Sequence, residues 1–342
     1  MKKIKLYSII SVLTAIMLFG TAALCNMCGI APDASATGSA VSATSAASES
    51  EASETVSSPA SDSEASETVA EAESTSVEET GQETASESNA DIELFDISLL
   101  APVFAIANEP GDQLISFYSD ENVTDFEEFN GAIGEDGQFY TIEYDKKQDS
   151  NDQDSGRVVA ENFDNMGGYV YNVQGENLIA SNTYFLCNSE IINKKNLLTT
   201  VNTTDAALDQ ETKTQIEDIK GRNVQEGWII DEYSNGAQAL VVVFEPDGNN
   251  YLMSIGLKTS DGIKFKDYPA VSDDGYSIWR VDDGGKVIPK LYTIMFAAST
   301  NDGLLLVVKW AGAEGENILL LLEKADSLEL LPWEVYRYWS AG

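Results

Sequence analysis

Any chemistry in this chain proceeds without an imidazole, because none of its 342 residues is histidine. Ser-His-Asp and Cys-His catalysis are therefore excluded, as are His-ligated zinc centres. Carboxylates are the acid–base groups in supply: 57 Asp and Glu against 20 Lys and Arg, a formal net charge of −37. Two adjacent pairs, Asp231-Glu232 and Asp282-Asp283, lie close to aromatic residues. A glycosidase uses such a pair, one acid and one base or nucleophile flanking the scissile bond. Both pairs also fit turns, and a chain this acidic brings carboxylates together by chance. A carboxylate-based glycoside hydrolase is thus permitted rather than indicated. No nucleophile has a legible activating partner. Cys187, in the run Tyr184-Phe185-Leu186-Cys187, reads as a small buried apolar residue.

Asp145, Asp149, Asp152 and Asp154 crowd a polar loop that ends at Gly156. Calcium loops alternate carboxylates before a glycine turn and finish on a distant bidentate Glu. With Gly156 as that glycine, the alternate ligands are Asn151, Gln153 and Ser155, and the distant one is Asn162. That set lacks charge, so the loop reads as solvated. Ca²⁺ is the one ion the composition favours, and no resident cofactor is expected.

Aromatic side chains are the better candidates for recognition. Trp333, Tyr336, Tyr338 and Trp339 alternate with Glu334 and Arg337 near the chain end. Exposed flat rings beside charges can stack a sugar or grip a peptide. The competing reading is a last strand whose rings close the core. Further upstream, Ser272-Asp273-Asp274-Gly275-Tyr276-Ser277-Ile278-Trp279 resembles an Asp-box, the Ser-x-Asp-x-Gly-x-Thr-Trp hairpin of sialidase-type propellers. Ser272, Asp274 and Trp279 match; Gly275 falls one position early and Ile278 replaces the Thr. The resemblance spans this segment alone. It implies a structural turn in a β fold and no activity, and a hairpin without wider kinship explains the same residues.

The elements that position these residues begin well inside the chain. Lys2, Lys3 and Lys5 precede an uncharged apolar run from Leu6 to Leu24. As a helix, that run is long enough to cross a hydrocarbon core of about 30 Å. Residues 1–24 read as a signal peptide or an N-terminal membrane anchor, with the bulk of the chain outside. Cys25 opens a third outcome, because its setting resembles a bacterial lipoprotein signal, although Leu24 stands where a small residue is usual. Residues 25–90 read as a disordered Ser/Glu/Ala/Thr-rich stalk. It holds no aromatic residue, and Ser50-Glu51-Ala52-Ser53-Glu54-Thr55-Val56 recurs at Ser63–Val69. Such a tract cannot bury enough apolar surface to offset the entropy of ordering it.

Residues 91–342 read as a globular, mainly β region: an antiparallel sandwich or barrel-like meander with one short helix. It forms one large domain, or two lobes, 91–200 and 224–342, joined by a helix near 205–221. Asn-Gly and Asp-Gly pairs at 235, 247, 261, 274, 283 and 302 supply the positive φ angles of tight turns. Strand-like runs lie between them: 237–244, 251–257, 263–268, 277–281, 291–297, 304–310 and 318–323. Further upstream, 138–144, 157–163, 168–173 and 179–186 are candidates. Leu304–Val308 and Ile318–Leu322 are apolar without alternation, which predicts sheet covered on both faces. For the helix, Asp205 is the expected N-cap, Asp209 suits the first turn, Gly221 ends it, and Leu208, Ile216 and Ile219 share one face.

Charge and location together bound the function. A surface this acidic repels phosphate backbones, so nucleic acid is a poor partner, and the membrane is met only through the N-terminal segment. The expectation is an exported, surface-tethered domain that binds an extracellular glycan or peptide without turning it over. The glycoside hydrolase and an accessory module that binds an envelope protein are the alternatives.

Overall fold

The computed structural model describes residues 92–280 and 283–340. The apolar run, Cys25 and the stalk, with the expectations attached to them, lie outside the described residues. Among the described residues no helix is long and apolar enough to cross a membrane.

Six antiparallel strands close a barrel: β1 (Val103–Ala107), β2 (Gln113–Ser119), β3 (Gly131–Ile133), β4 (Phe139–Gln148), β5 (Gly168–Gln174) and β6 (Thr183–Cys187). They pair in the order β1-β2-β5-β4-β3-β6, and β6 returns to β1. Inward residues fill the interior, among them Val103, Ala105, Leu114, Ala132, Ile142, Tyr171 and Leu186. Tyr171 is fully buried and donates its hydroxyl proton to the Phe126 carbonyl at 2.9 Å. β1 is buried throughout because its other face is covered too: Phe104 enters a core shared with the last sheet, and Ile106 packs on Phe163 and Met166. Gly131 is required by close approach, since a Cβ there would lie 2.5 Å from the Phe139 ring and 2.9 Å from the Cys187 sulfur.

A second sheet is a meander: β7 (Thr200–Ala207), β8 (Val224–Tyr233), β9 (Gln238–Phe244), β10 (Asn250–Thr259) and β11 (Gly262–Val271), in the order β11-β10-β9-β8-β7. Gly236, Gly248 and Gly262 turn its hairpins at φ of 83°, 60° and 119°, the left-handed region that Asn-Gly and Asp-Gly signal. The third sheet holds β12 (Tyr292–Thr300), β13 (Gly303–Ala311), β14 (Gly315–Glu323) and β15 (Leu328–Leu330), with β16 (Val335–Tyr338) on the same edge of β14 as β15. It is the middle layer. Leu306, Val308 and Leu321 face Val241, Val243, Met253 and Ile255 of the second sheet. Leu305, Val307, Leu320 and Leu322 face Phe104 and Phe185 of the barrel. The unbroken apolar runs at 304–308 and 318–322 are thus covered on both faces. Each fully buried Leu in such a layer stabilises by about 1.5–3 kcal/mol.

The helix α1 (Gln210–Lys220) lies on the outer face of the second sheet, where Ile216 packs against Val224, Leu240, Val242, Phe244 and Phe265. Asp209, not Asp205, is its N-cap, accepting the Thr212 N–H at 2.7 Å. Asp205 belongs to β7, which extends to Ala207 and leaves the helix no room to begin earlier. Gly221 ends it in the left-handed region at φ 59°. Ile219 is 54% exposed, so the shared apolar face reduces to Ile216 with Leu208 behind it.

Two expected strands are absent. Residues 160–165 form a 3₁₀ turn, Ala160–Asn165, in which Ala160, Asn162 and Phe163 are buried. Residues 273–280 are a run of bends. There Ser272 and Asp274 bond each other at 2.9 Å, and Asp274 accepts the Tyr276 N–H at 2.9 Å. The Asp-box resemblance therefore ends at local turn chemistry: no hairpin forms at 272–279, and a barrel with two sheets is not a propeller.

Candidate functional site

A turn between β3 and β4, Glu135–Gly137, borders a broad concavity. Asp136 sits there at φ 56°, a left-handed conformation that Asp tolerates better than most residues. The cleft beside it has a volume of about 770 Å³ and is lined by Asp136, Gln138, Tyr140, Gln174, Glu176 and Lys194, among others. Tyr140 is half-buried and meets Tyr184 edge-on, with ring centroids 5.9 Å apart. Its hydroxyl donates to Gln138 Oε1 at 2.5 Å, and burial, with a contribution from Glu176, raises its pKa. The cleft thus combines a fixed aromatic ring with side-chain amides, two carboxylates, Asp136 and Glu176, and an ammonium.

Asp231 lies behind this turn. It is 1% exposed, and its Oδ1 finds no hydrogen-bond partner among the described residues. Oδ2 accepts the Tyr233 hydroxyl at 3.4 Å. Burial pushes the carboxyl up to about 7, and the charge of Asp136 adds to the rise. The Thr203 hydroxyl donates to Asp136 Oδ1 at 2.9 Å, tying β7 to the barrel turn. Glu232, the next residue on β8, accepts from Asn202 at 3.0 Å and from Gln238 at 2.7 Å, and these bonds hold its carboxyl low. Strand alternation sends neighbours to opposite faces, so Asp231-Glu232 cannot act on one substrate as a pair. Nor is this pair in a turn, since both residues lie within β8.

The other pair is committed elsewhere. Burial raises the Asp283 pKa, but hydrogen bonds from the N–H groups of Arg280, Gly285, Trp279 and Ile278 outweigh it and hold the carboxyl below its ordinary value. Asp283 organises its loop, and Asp282 lies outside the described residues.

Asp154 serves the 145–156 loop as a turn acceptor, taking the Gly156 N–H at 2.9 Å and Asn162 Nδ2 at 2.8 Å. Among the described residues no group of three or more Cys, Asp or Glu side chains is placed to hold a metal ion.

The C-terminal aromatics divide between duties. Trp333 is half-buried beside the barrel-facing core and donates its indole N–H to Asp120. In β16, Val335 and Arg337 point inward while Tyr336 is 51% exposed, the reverse of a charge-out, ring-in strand. Tyr338 is half-buried. Trp339 donates to the Ala313 carbonyl at 3.1 Å, and the Arg337 guanidinium lies 5.4 Å from its ring centroid. Val158 N–H donates to the Tyr338 carbonyl at the end of β16 at 2.7 Å.

The polar cleft itself gives no signal in the sequence. Its residues come from the β3–β4 turn, β4, the end of β5 and the segment before β7, and only barrel closure brings them together. No family model, curated protein or solved structure matches this chain.

Proposed function

We propose that residues 92–340 are the recognition domain of an exported, surface-tethered protein, and that the cleft beside Tyr140 binds an extracellular glycan without turning it over. The observation that carries this reading is the company Tyr140 keeps. A sugar presents one apolar ring face and a rim of hydroxyls. The cleft offers a braced aromatic ring with Gln138, Gln174, Glu176 and Lys194 around it, a set of donors and acceptors suited to that rim. Binding without hydrolysis is the simpler reading of the carboxyls: glycoside cleavage needs two of them at about 5–10 Å across one bond, one as acid and one as base or nucleophile, and of the two in the cleft, Asp136 and Glu176, the first is already engaged by the Thr203 hydroxyl at 2.9 Å. Here Asp231 is enclosed, Glu232 faces away from it and Asp283 is bound by its own loop. Export and tethering rest on the lysine-led apolar run and the acidic tract behind it.

The test is a screen of the full chain against soluble glycans and cell-wall fragments, followed by calorimetry on any hit. Tyr140→Ala and Gln174→Ala should each weaken binding tenfold or more; the Tyr140 ring packs on the barrel core, so its variant should also lower the unfolding midpoint, whereas the midpoint of Gln174→Ala, at an exposed residue, should hold. Unchanged affinity in Tyr140→Ala and in Gln174→Ala would remove the cleft from consideration.

A further inference from the structure

A second cavity, of about 230 Å³, opens at the other end of the barrel, where β1 begins and β6 finishes. Its chemistry is the opposite of the polar cleft. Leu100, Phe129, Phe185, Cys187 and Ile192 line it, and each is less than one-tenth exposed. Burial raises the Cys187 pKa, so the thiol stays neutral and the lining carries no charge there. Leu99 stands among the lining residues at 55% exposure. An apolar recess left open to water costs free energy unless something fills it.

The charged residues of the lining are all of one sign. Asp125 and Glu128 stand in it and no Lys or Arg does. Asp125 uses one oxygen to accept the Glu127 N–H at 3.0 Å. Glu128 is exposed, and no ion pair among the described residues takes up its carboxylate. Asn122 and Asn188, also in the lining, add uncharged hydrogen-bonding groups. The whole chain, at −37, draws cations toward this mouth and repels anions from it.

We propose that this cavity takes the aliphatic tail of a primary alkylammonium ligand, with the ammonium group held at the mouth by Asp125 and Glu128. The tail gains from leaving water, and the head meets two carboxylates that have no basic neighbour in the lining. At about 30 Å³ per water-sized volume the recess holds roughly eight such volumes, which suits a short chain and not a long lipid. An apolar recess alone would accept a neutral or anionic amphiphile equally well; the acidic mouth selects the cation. The site is independent of the glycan cleft, and either can fail without the other.

The experiment uses methyl-labelled full chain and three probes below their micellar concentrations: octylammonium, octanol and octanoate. Octylammonium should shift the methyl signals of Leu99, Leu100, Ile191 and Ile192 saturably, at least tenfold more tightly than octanol, and octanoate should leave them unmoved. The double substitution Asp125→Asn with Glu128→Gln should abolish the preference while octanol binding stays the same. The amide introduced by Asp125→Asn keeps an acceptor oxygen for the Glu127 N–H, so the fold is not at stake. Absence of a saturable shift with octylammonium, octanol or octanoate binding as tightly, or a preference that survives the double substitution would each overturn the proposal.

Discussion

Arg337 of β16 stands directly opposite Glu316 of β14, and its guanidinium reaches the carboxylate at 3.4 Å with both side chains almost fully buried. The pair is the centre of a polar seam between the barrel and the last sheet. Thr183 of β6 donates to Glu316 and accepts from Arg337 at 3.0 Å. Lys309 of β13 lies 3.9 Å from Glu316 and donates to Glu135 in the turn after β3. Arg337 also donates to the Val158 carbonyl at 2.9 Å. Desolvation lowers the Arg337 pKa and Glu316 raises it back in part, so the carboxylate is what keeps a buried guanidinium tolerable.

Removing that carboxylate alone should be costly. Glu316→Gln leaves Arg337 and Lys309 buried with less compensation, and breaking one side of a buried pair typically costs about 3–5 kcal/mol. Urea denaturation should show the midpoint falling with little change in slope. Replacing Glu316 and Arg337 together by Met should recover much of the loss, because both charges then leave the interior. A single Gln variant as stable as the parent would mean the seam is hydrated.

Asp231 makes stability depend on pH in an unusual direction. Its folded pKa is raised to about 7, whereas an unfolded Asp titrates near 3.9. Between those values the folded state holds a proton that the unfolded state has lost. Stability is therefore fullest below about pH 4, as far as this group is concerned, and falls as pH rises toward 7, by an amount on the order of a few kcal/mol. Asp231→Asn mimics the protonated form and should flatten that part of the profile, leaving the variant more stable than the parent at pH 8. Melting temperatures of the two proteins across pH 5–8 decide it; parallel curves would mean that Asp231 ionises freely.

Much of this fold is readable from the residues. The Asn-Gly and Asp-Gly turns of the second sheet, the doubly covered runs of β13 and β14, and the glycine at the end of α1 all carry local signals with local causes. The strands of the barrel are harder. β1 is five apolar residues covered on both faces, and β3 is three residues long, so neither shows a period. β7 is largely exposed and polar, and it is a strand because β8 pairs with it. The shift of the helix cap from Asp205 to Asp209 has the same origin: both residues can cap, and strand pairing decides which is free. The cleft and the apolar recess are silent in the sequence because neither exists until the barrel closes.

That helix cap gives a smaller, sharper prediction. Asp209 accepts from the Thr212 N–H at 2.7 Å and from its hydroxyl at 3.1 Å, and these bonds, the first above all, hold its carboxyl below the usual range against the opposing effect of burial. Asp209→Ala should cost about 1 kcal/mol. Asp205→Ala should cost less than half of that, since Asp205 lies in an exposed strand. Equal losses in the two variants would place the start of the helix elsewhere.

The C-terminal aromatics can be separated by asking each ring what it supports. Trp333 packs on the barrel-facing core and bonds Asp120, so Trp333→Ala should destabilise by about 3–5 kcal/mol, as large-to-small changes in cores do. Tyr336 is half in solvent and its strand neighbours Val335 and Arg337 carry the packing. Tyr336→Ala should leave the unfolding midpoint nearly unchanged. Trp339 lies between these limits, because its indole bonds the Ala313 carbonyl and lies beside the Arg337 guanidinium. If the end of the chain also contributes to recognition, Tyr336→Ala is the variant that loses ligand without losing stability, with Tyr338 beside it on the same face of β16 by strand alternation. Calorimetry and thermal melting on Tyr336→Ala, Trp339→Ala and Trp333→Ala separate the roles. A drop in stability for Tyr336→Ala as large as that for Trp333→Ala would make the segment a core strand and remove it as a binding surface.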